Sequence, residues 1–196
     1  MIKRLLVPLA LLALAPAALA ACGGGGSSAE SQITEVIERA ATTKDPSNCT
    51  ELQTLRFTEQ NTSESGKAAI KSCEESAKEE EQAEEADVSG VSVNGEKATA
   101  EVEFIGGSLD SQVLEVALVE EGGDWKLNQI EGFAHYNGKA LEETFLKRFE
   151  ESPEGLSKRQ YTCIAEGIGK ANKAEAEAMF LSGSTIKIEE LAQSCA

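Results

Sequence analysis

Histidine, aromatic residues and positive charge are all scarce in this chain. Its 196 residues include one histidine and one tryptophan, and aromatic residues make up 5%. A single histidine excludes a metal centre built from several imidazoles. Only 18 basic residues face 34 acidic ones, which gives a formal net charge of −16. A surface this negative repels phosphate backbones, so we expect no nucleic-acid binding.

The longest apolar run is too short to favour a permanent membrane span. Lys3 and Arg4 precede an apolar run over residues 5–20 that contains two prolines. A positive segment followed by a short apolar segment is typical of an export signal, here residues 1–21. The sequence Leu-Ala-Ala-Cys at residues 19–22 resembles a bacterial lipobox, which implies cleavage before Cys22 and diacylglycerol on its sulfur. The alternative is an ordinary secretory signal that leaves Cys22 as a free thiol.

The segment after this cysteine is predicted to be a short, flexible linker. Residues 22–29 contain four consecutive glycines and two serines, a composition typical of flexible linkers. Two acyl chains on one residue anchor a protein stably to a bilayer. We therefore expect a lipid-anchored protein on the extracytoplasmic face of the cell membrane, held through acylated Cys22.

The remaining four cysteines predict two disulfides. They are Cys49, Cys73, Cys163 and Cys195, an even number in a chain expected to be exported. Three pairings are open, and we favour Cys49 with Cys73 and Cys163 with Cys195 because each pair lies within one region. No C-x-x-C spacing occurs, so no metal site or other cofactor is expected.

Helical periodicity dominates the first part of the folded region. Apolar residues recur at helical spacing over residues 30–44, about 49–57 and about 65–86, so three helices are predicted there. The third stretch carries seven glutamates within residues 74–85. We interpret this acidic half as a solvated helix end, the alternative being a patch for calcium or a basic partner.

After residue 87 the period changes to two, which predicts strands. Asn94 and Gly95 mark a hairpin, and glycine pairs at 106–107 and 122–123 mark further turns. The last of four strands is predicted to end near Gly132. Short turns can only join antiparallel neighbours, so a meander is expected. The inward positions are all apolar: Ala98, Ala100, Val102, Phe104, Leu114, Val116 and Leu118.

The predicted fold class is α+β, with N-terminal helices packed on a curved four-stranded antiparallel sheet. Three segments carry a resemblance: KSCEE at 71–75, VSVNGEKA at 91–98 and EEGGDWKL at 120–127. They resemble small exported lipoproteins of high-GC Gram-positive bacteria with a nuclear-transport-factor-2-like, cystatin-like domain. The resemblance implies a cone-shaped domain over residues 30–137, and it implies no assigned activity.

Residues 138–196 are predicted to form a separate, small all-α module. Capping boxes at Ser157 and Asn172 open two of its helices. This segment carries 8 basic and 10 acidic side chains, whereas residues 22–137 carry 8 and 24. A module of this size needs a covalent link, which the expected bridge between Cys163 and Cys195 supplies.

The apolar inward face favours binding over catalysis. We expect a non-catalytic module that binds a small apolar ligand or an envelope protein, with Trp125, His135 and Tyr136 as candidate pocket residues. The alternative is an enzyme resembling ketosteroid isomerase or polyketide cyclases, which would need an acidic base and a tyrosine donor. Nearby candidates for those roles are Asp124, His135, Tyr136 and Tyr161, and no catalytic residue is assigned.

A monomer is expected from the charges on the open face of the sheet. Thr99, Glu101 and Glu103 alternate with the inward residues of the second strand. A symmetric contact through this face would bring like charges together, which disfavours a dimer.

Overall fold

The computed structural model describes residues 28–79, 81–151, 155–181 and 186–196. The predicted export signal, Cys22 and nearly all of the linker lie outside these residues. The helices are α1 (Ala29–Thr42), α2 (Asn48–Glu51), α3 (Leu55–Thr62), α4 (Lys67–Glu79), α5 (Gly138–Glu151), α6 (Lys158–Lys170), α7 (Lys173–Phe180) and α8 (Ile186–Ser194). The strands are β1 (Glu85–Asn94), β2 (Lys97–Ile105), β3 (Val113–Glu121) and β4 (Asp124–His135).

The predicted α+β class and the antiparallel meander are confirmed. Helices α1–α4 precede a four-stranded sheet of order β1-β2-β3-β4, in which all neighbours are antiparallel, and α5–α8 follow it. Asn94 pairs with Lys97 across the first hairpin, and Gly95 in its turn has φ +64°. Residues with a side chain rarely adopt this conformation, so the glycine permits the tight turn.

Strand β4 is longer than its neighbour β3, and the extra residues bend it. Its 12 residues pair with the 9 of β3 through three register shifts, each of which leaves one extra residue in β4. Such bulges bend a strand and increase its twist, which curls the sheet. The predicted end near Gly132 was too early: the bulges interrupt the period of two, although the ladder continues to His135.

The core lies between α1 and the concave face of the sheet. Ile33 and Ile37 of α1 are 0% and 3% exposed and pack against this face. Six of the seven predicted inward residues are buried, and Phe104 is half-buried. On β4 the buried positions follow the bulges, at Trp125, Leu127, Ile130 and Phe133.

Two predicted helices differ from the observed ones. The expected helix over 49–57 is divided into α2 and α3, because the backbone between them pairs with β4: Leu127 N donates to Leu52 O and Thr54 N to Leu127 O, both at 2.8 Å. The expected helix over 65–86 ends at Glu79. Glutamates four residues apart repel one another in a helix, and pairing with β2 draws residues 85–86 into β1 instead.

Side chains from the helices occupy the outer edge of β4. The Gln60 amide exchanges two 2.8 Å hydrogen bonds with the backbone of Ile130. Further along the strand, Phe133 N donates to Glu177 Oε1 at 3.1 Å. A Cβ at Gly132 would lie 2.7 Å from the same oxygen, so glycine permits this approach. Helices α3 and α7 thereby satisfy backbone groups that an edge strand otherwise presents to solvent.

Both favoured disulfides are present. Cys49 of α2 is bonded to Cys73 of α4, with Cα atoms 6.0 Å apart. Cys163 of α6 is bonded to Cys195 just after α8, with Cα atoms 5.7 Å apart. Each bridge therefore joins helices within one of the two predicted regions.

The C-terminal helices form a second apolar cluster. Leu141, Ile164, Ile168 and Cys195 are buried together, and the capping boxes that open α6 and α7 are present as predicted. This segment also contacts the sheet, because Ala176 of α7 is fully buried in the sheet's core. The division of the chain at residue 137 stays a prediction.

Candidate functional site

A cleft of about 270 Å³ opens between the N-terminal helices and the concave face of the sheet. Its floor is apolar and comes from β2, β3 and β4: Val102, Phe104, Leu114, Val116, Leu127 and Ile130. The volume is close to the lower limit of about 300 Å³ for small-molecule sites. The cleft therefore suits a small ligand with an apolar body.

The walls of the cleft are helical and covalently connected. Ile37 and Ala40 of α1 form one side, and Phe57 of α3 contributes a buried aromatic ring. The disulfide between Cys49 and Cys73 forms part of the lining and joins α2 to α4. The spacing between these two wall elements is therefore fixed by a covalent bond.

The acidic side chains at the cleft are already engaged. Asp45 Oδ1 accepts a 2.9 Å hydrogen bond from Ser47 N, which lowers the pKa of this carboxyl, and the Ser47 hydroxyl and Arg39 lower it further. Glu81 Oε1 lies 3.4 Å from Lys147 Nζ. None of the described residues that line the cleft is basic. The lining thus offers no positive partner for an anionic ligand.

Asn48 supplies one buried polar atom that has no partner. This residue lines the cleft and is 4% exposed, and its Nδ2 donates to Thr43 Oγ1 at 2.7 Å. Its Oδ1 is buried and accepts no hydrogen bond from any described residue. An unsatisfied buried acceptor typically costs about 1–3 kcal/mol, so such atoms are rare in native proteins.

A larger cavity of about 670 Å³ adjoins the cleft and is lined by the end of α4, the turn after β2 and α5. It is polar, and its lining includes the acidic residues Glu79, Glu84 and Asp110 and the basic residues Lys147 and Arg148. Within the described ranges, no group of three or more acidic, histidine or cysteine side chains is placed to hold a metal ion. No helix in this part of the chain is long and apolar enough to cross a membrane.

The three predicted pocket residues lie away from the cleft lining. Trp125 is buried in the core under the sheet, and His135 is exposed at the end of β4. Tyr136 donates its hydroxyl to Ile168 O at 2.7 Å, and burial raises the pKa of this phenol. Asp124 is exposed in the last hairpin turn. The residues named for the enzyme hypothesis are therefore not brought together at the cleft.

Comparison with known proteins identified no relative of this chain. The chain matches no known family model, curated protein or solved structure. The cleft is therefore interpreted from its own residues.

The sequence predicted helices packed on the sheet but gave no indication of Asn48. The apolar floor was predicted from the period-two pattern of β2 and β3, but a lone asparagine carries no periodic signal. Its position directly before Cys49 does not indicate burial, since Ser194 and Ala196 beside Cys195 are exposed.

Proposed function

We propose that this protein is a lipid-anchored, extracytoplasmic binding protein whose cleft holds a small, largely apolar ligand. The cleft between α1–α4 and the sheet is the observation that carries the proposal. The two disulfides support it, because such bridges form and persist mainly in oxidising compartments outside the cytoplasm. The lipobox-like sequence at residues 19–22 supports attachment through Cys22.

The size of the cleft limits the affinity. A ligand of about nine non-hydrogen atoms at about 0.7 kcal/mol per atom would bind with a Kd in the tens of micromolar. Each buried methylene group contributes about 0.8 kcal/mol of this through the hydrophobic effect. Titrations should therefore extend to millimolar ligand.

The cleft is tested by blocking it. Backbone amide NMR signals of the described floor strands should shift when 1-octanol is titrated into the protein. Ala40→Phe places a large ring in the wall of the cleft, and we expect it to weaken binding more than tenfold. Ala117→Phe is the matched control, because Ala117 lies on β3 between the buried residues Val116 and Leu118 and faces the other side of the sheet. Equal binding by both variants would locate the ligand elsewhere.

The anchor is tested independently of the cleft. Cys22→Ser removes the sulfur that carries the lipid, so the protein should move from the membrane fraction to the medium in the cells that export it. Retention of the variant in the membrane fraction would contradict the lipid anchor.

A further inference from the structure

The apolar cleft continues into the larger polar cavity beside it. Ser76, Glu81, Gly106 and Ser108 line both spaces, whose volumes are about 270 and 670 Å³. A ligand that occupies the cleft can therefore extend into the cavity. Together the two spaces suit a ligand with two chemically different ends.

The charge of the cavity indicates which polar end it accepts. The floor of the cleft is apolar, whereas the described lining of the cavity contains five carboxylates and two basic side chains, a formal net charge of −3. Complementary charge favours one partner and disfavours the opposite one. A ligand with an apolar chain and a positively charged end matches both environments, and an anionic end does not.

Three of the five carboxylates are already engaged. Glu81 and Glu143 have lysine partners at 3.4 and 3.7 Å, and Asp110 Oδ1 accepts a 2.6 Å hydrogen bond from the turn after β2. The side chains of Glu79 and Glu84 have no ion pair or hydrogen bond with any described residue. These two carboxylates are therefore available to a cation.

Glu84 lies where the cleft and the cavity meet. Its backbone N donates to Ile105 O at 2.8 Å, and a Cβ at Gly106 would lie 2.9 Å from its Cγ. Because Gly106 lines both spaces, the side chain of Glu84 is held beside their junction. A cation attached to a chain in the cleft would come near this carboxylate.

One basic side chain opposes a cation in the cavity. Arg148 has no carboxylate partner among the described residues, whereas Lys147 is paired with Glu81. The carboxylates of Glu79 and Glu84 outnumber Arg148. The formal net charge of the whole chain, −16, adds to the negative potential.

We propose that the cleft and the cavity form one site for a cationic amphiphile, with its apolar chain on the sheet and its ammonium group beside Glu79 and Glu84. This inference rests on the proposed function, because it names the ligand class of the same cleft. It makes these two glutamates specificity-determining residues.

Three probes with the same chain length separate the contributions. n-Octylammonium, 1-octanol and octanoate differ in the charge of the end group. By NMR titration at low salt we expect octylammonium to bind about two- to tenfold more tightly than octanol, as two exposed ion pairs contribute. Octanoate should bind most weakly. The advantage of octylammonium should shrink between about 10 mM and about 1 M salt, as the Debye length falls from about 30 to about 3 Å.

Nuclear Overhauser effects locate the end group directly. Ala140 and Thr144 of α5 line the cavity but not the cleft. The methylene protons next to the nitrogen of octylammonium should therefore show contacts with the methyl groups of these two residues. The terminal methyl group of the chain should instead contact Leu114 and Val116 on the floor of the cleft.

The double variant Glu79→Gln with Glu84→Gln removes both free carboxylates. It should bind octylammonium no more tightly than octanol. Glu101→Gln with Glu103→Gln is the matched control, because it removes the same charge from exposed positions of β2 that line neither space. This control should keep the preference, which separates the cavity from the overall charge of the protein.

The outcomes distinguish the inference from the function beneath it. Equal affinity of the wild-type protein for octylammonium and octanol, or a nitrogen end without contacts to α5, would overturn the cationic site and leave binding in the cleft intact. Equal loss of preference in both double variants would attribute it to overall charge and overturn the role of Glu79 and Glu84. A wild-type protein that binds neither probe would overturn both proposals.

Discussion

Removing either disulfide should lower the free energy of unfolding by a similar amount, but only one of the two removals should weaken ligand binding in the cleft. The bridges close loops with sequence separations of 24 and 32 residues. Loop-closure entropy assigns about 3.4 kcal/mol to the first and about 3.7 kcal/mol to the second at 25 °C. Either value is a large part of the 5–15 kcal/mol that stabilises a typical domain.

The two bridges differ in their position relative to the cleft. Cys49 and Cys73 line the cleft, whereas Cys163 and Cys195 join α6 to the end of α8 and do not line it. We therefore expect the double variant Cys49→Ala with Cys73→Ala to lose octanol binding at least tenfold. The double variant Cys163→Ala with Cys195→Ala should bind octanol with unchanged affinity.

Urea denaturation followed by circular dichroism measures the stability of both variants, and NMR titration measures their binding. The slope of the urea dependence should rise in both variants, because the unfolded chain expands once the bridge is gone. A loss below about 1 kcal/mol in both variants would contradict the loop-closure estimate. Unchanged binding by the variant without Cys49 and Cys73 would show that this bridge does not shape the cleft.

Two further changes test how the C-terminal helices hold the sheet. Glu177→Ala removes the acceptor of the Phe133 amide and should destabilise the protein by about 1–3 kcal/mol in urea denaturation, with faster hydrogen exchange at Phe133. Glu131→Ala, an exposed change on the same strand, should cost less than about 0.5 kcal/mol, and equal losses would contradict the contact. Burial raises the pKa of Tyr136, so its hydrogen bond to Ile168 O contributes fully below pH 10 and is lost as pH rises through the raised value. Tyr136→Phe should therefore be less stable than the wild type at pH 7 by about 0.5–1 kcal/mol, and the difference should vanish in strongly alkaline buffer. A difference that stays constant across this range would show that the loss does not come from the hydrogen bond of the protonated hydroxyl.

Local and periodic signals were sufficient for much of the fold. The hairpin at Gly95, the capping boxes at Ser157 and Asn172, and the alternation along β2 all act over a few residues. Cysteine pairing followed from proximity in the chain, and both bridges are confirmed. These features could be predicted because their causes lie next to one another in the sequence.

Features set by distant contacts could not be predicted in this way. The bulges of β4 keep Ile130 and Phe133 buried at a spacing of three, which alternation alone does not indicate. Gln60 and Glu177 reach the edge of β4 from helices 70 and 44 residues away. The solitary acceptor of Asn48 is visible only after α2 is packed beside the sheet.

The occupied edge of β4 has a consequence for self-association. A second chain cannot pair with this stretch, because Leu127 is already bonded to the backbone between α2 and α3, and Ile130 and Phe133 are bonded to side chains of α3 and α7. The other edge is β1, whose ladder is interrupted around Gly90, where φ is +61°. Flat, unprotected edges are the templates from which sheets polymerise. Both edges of this sheet therefore offer few free backbone groups in a regular row on which a further strand could pair.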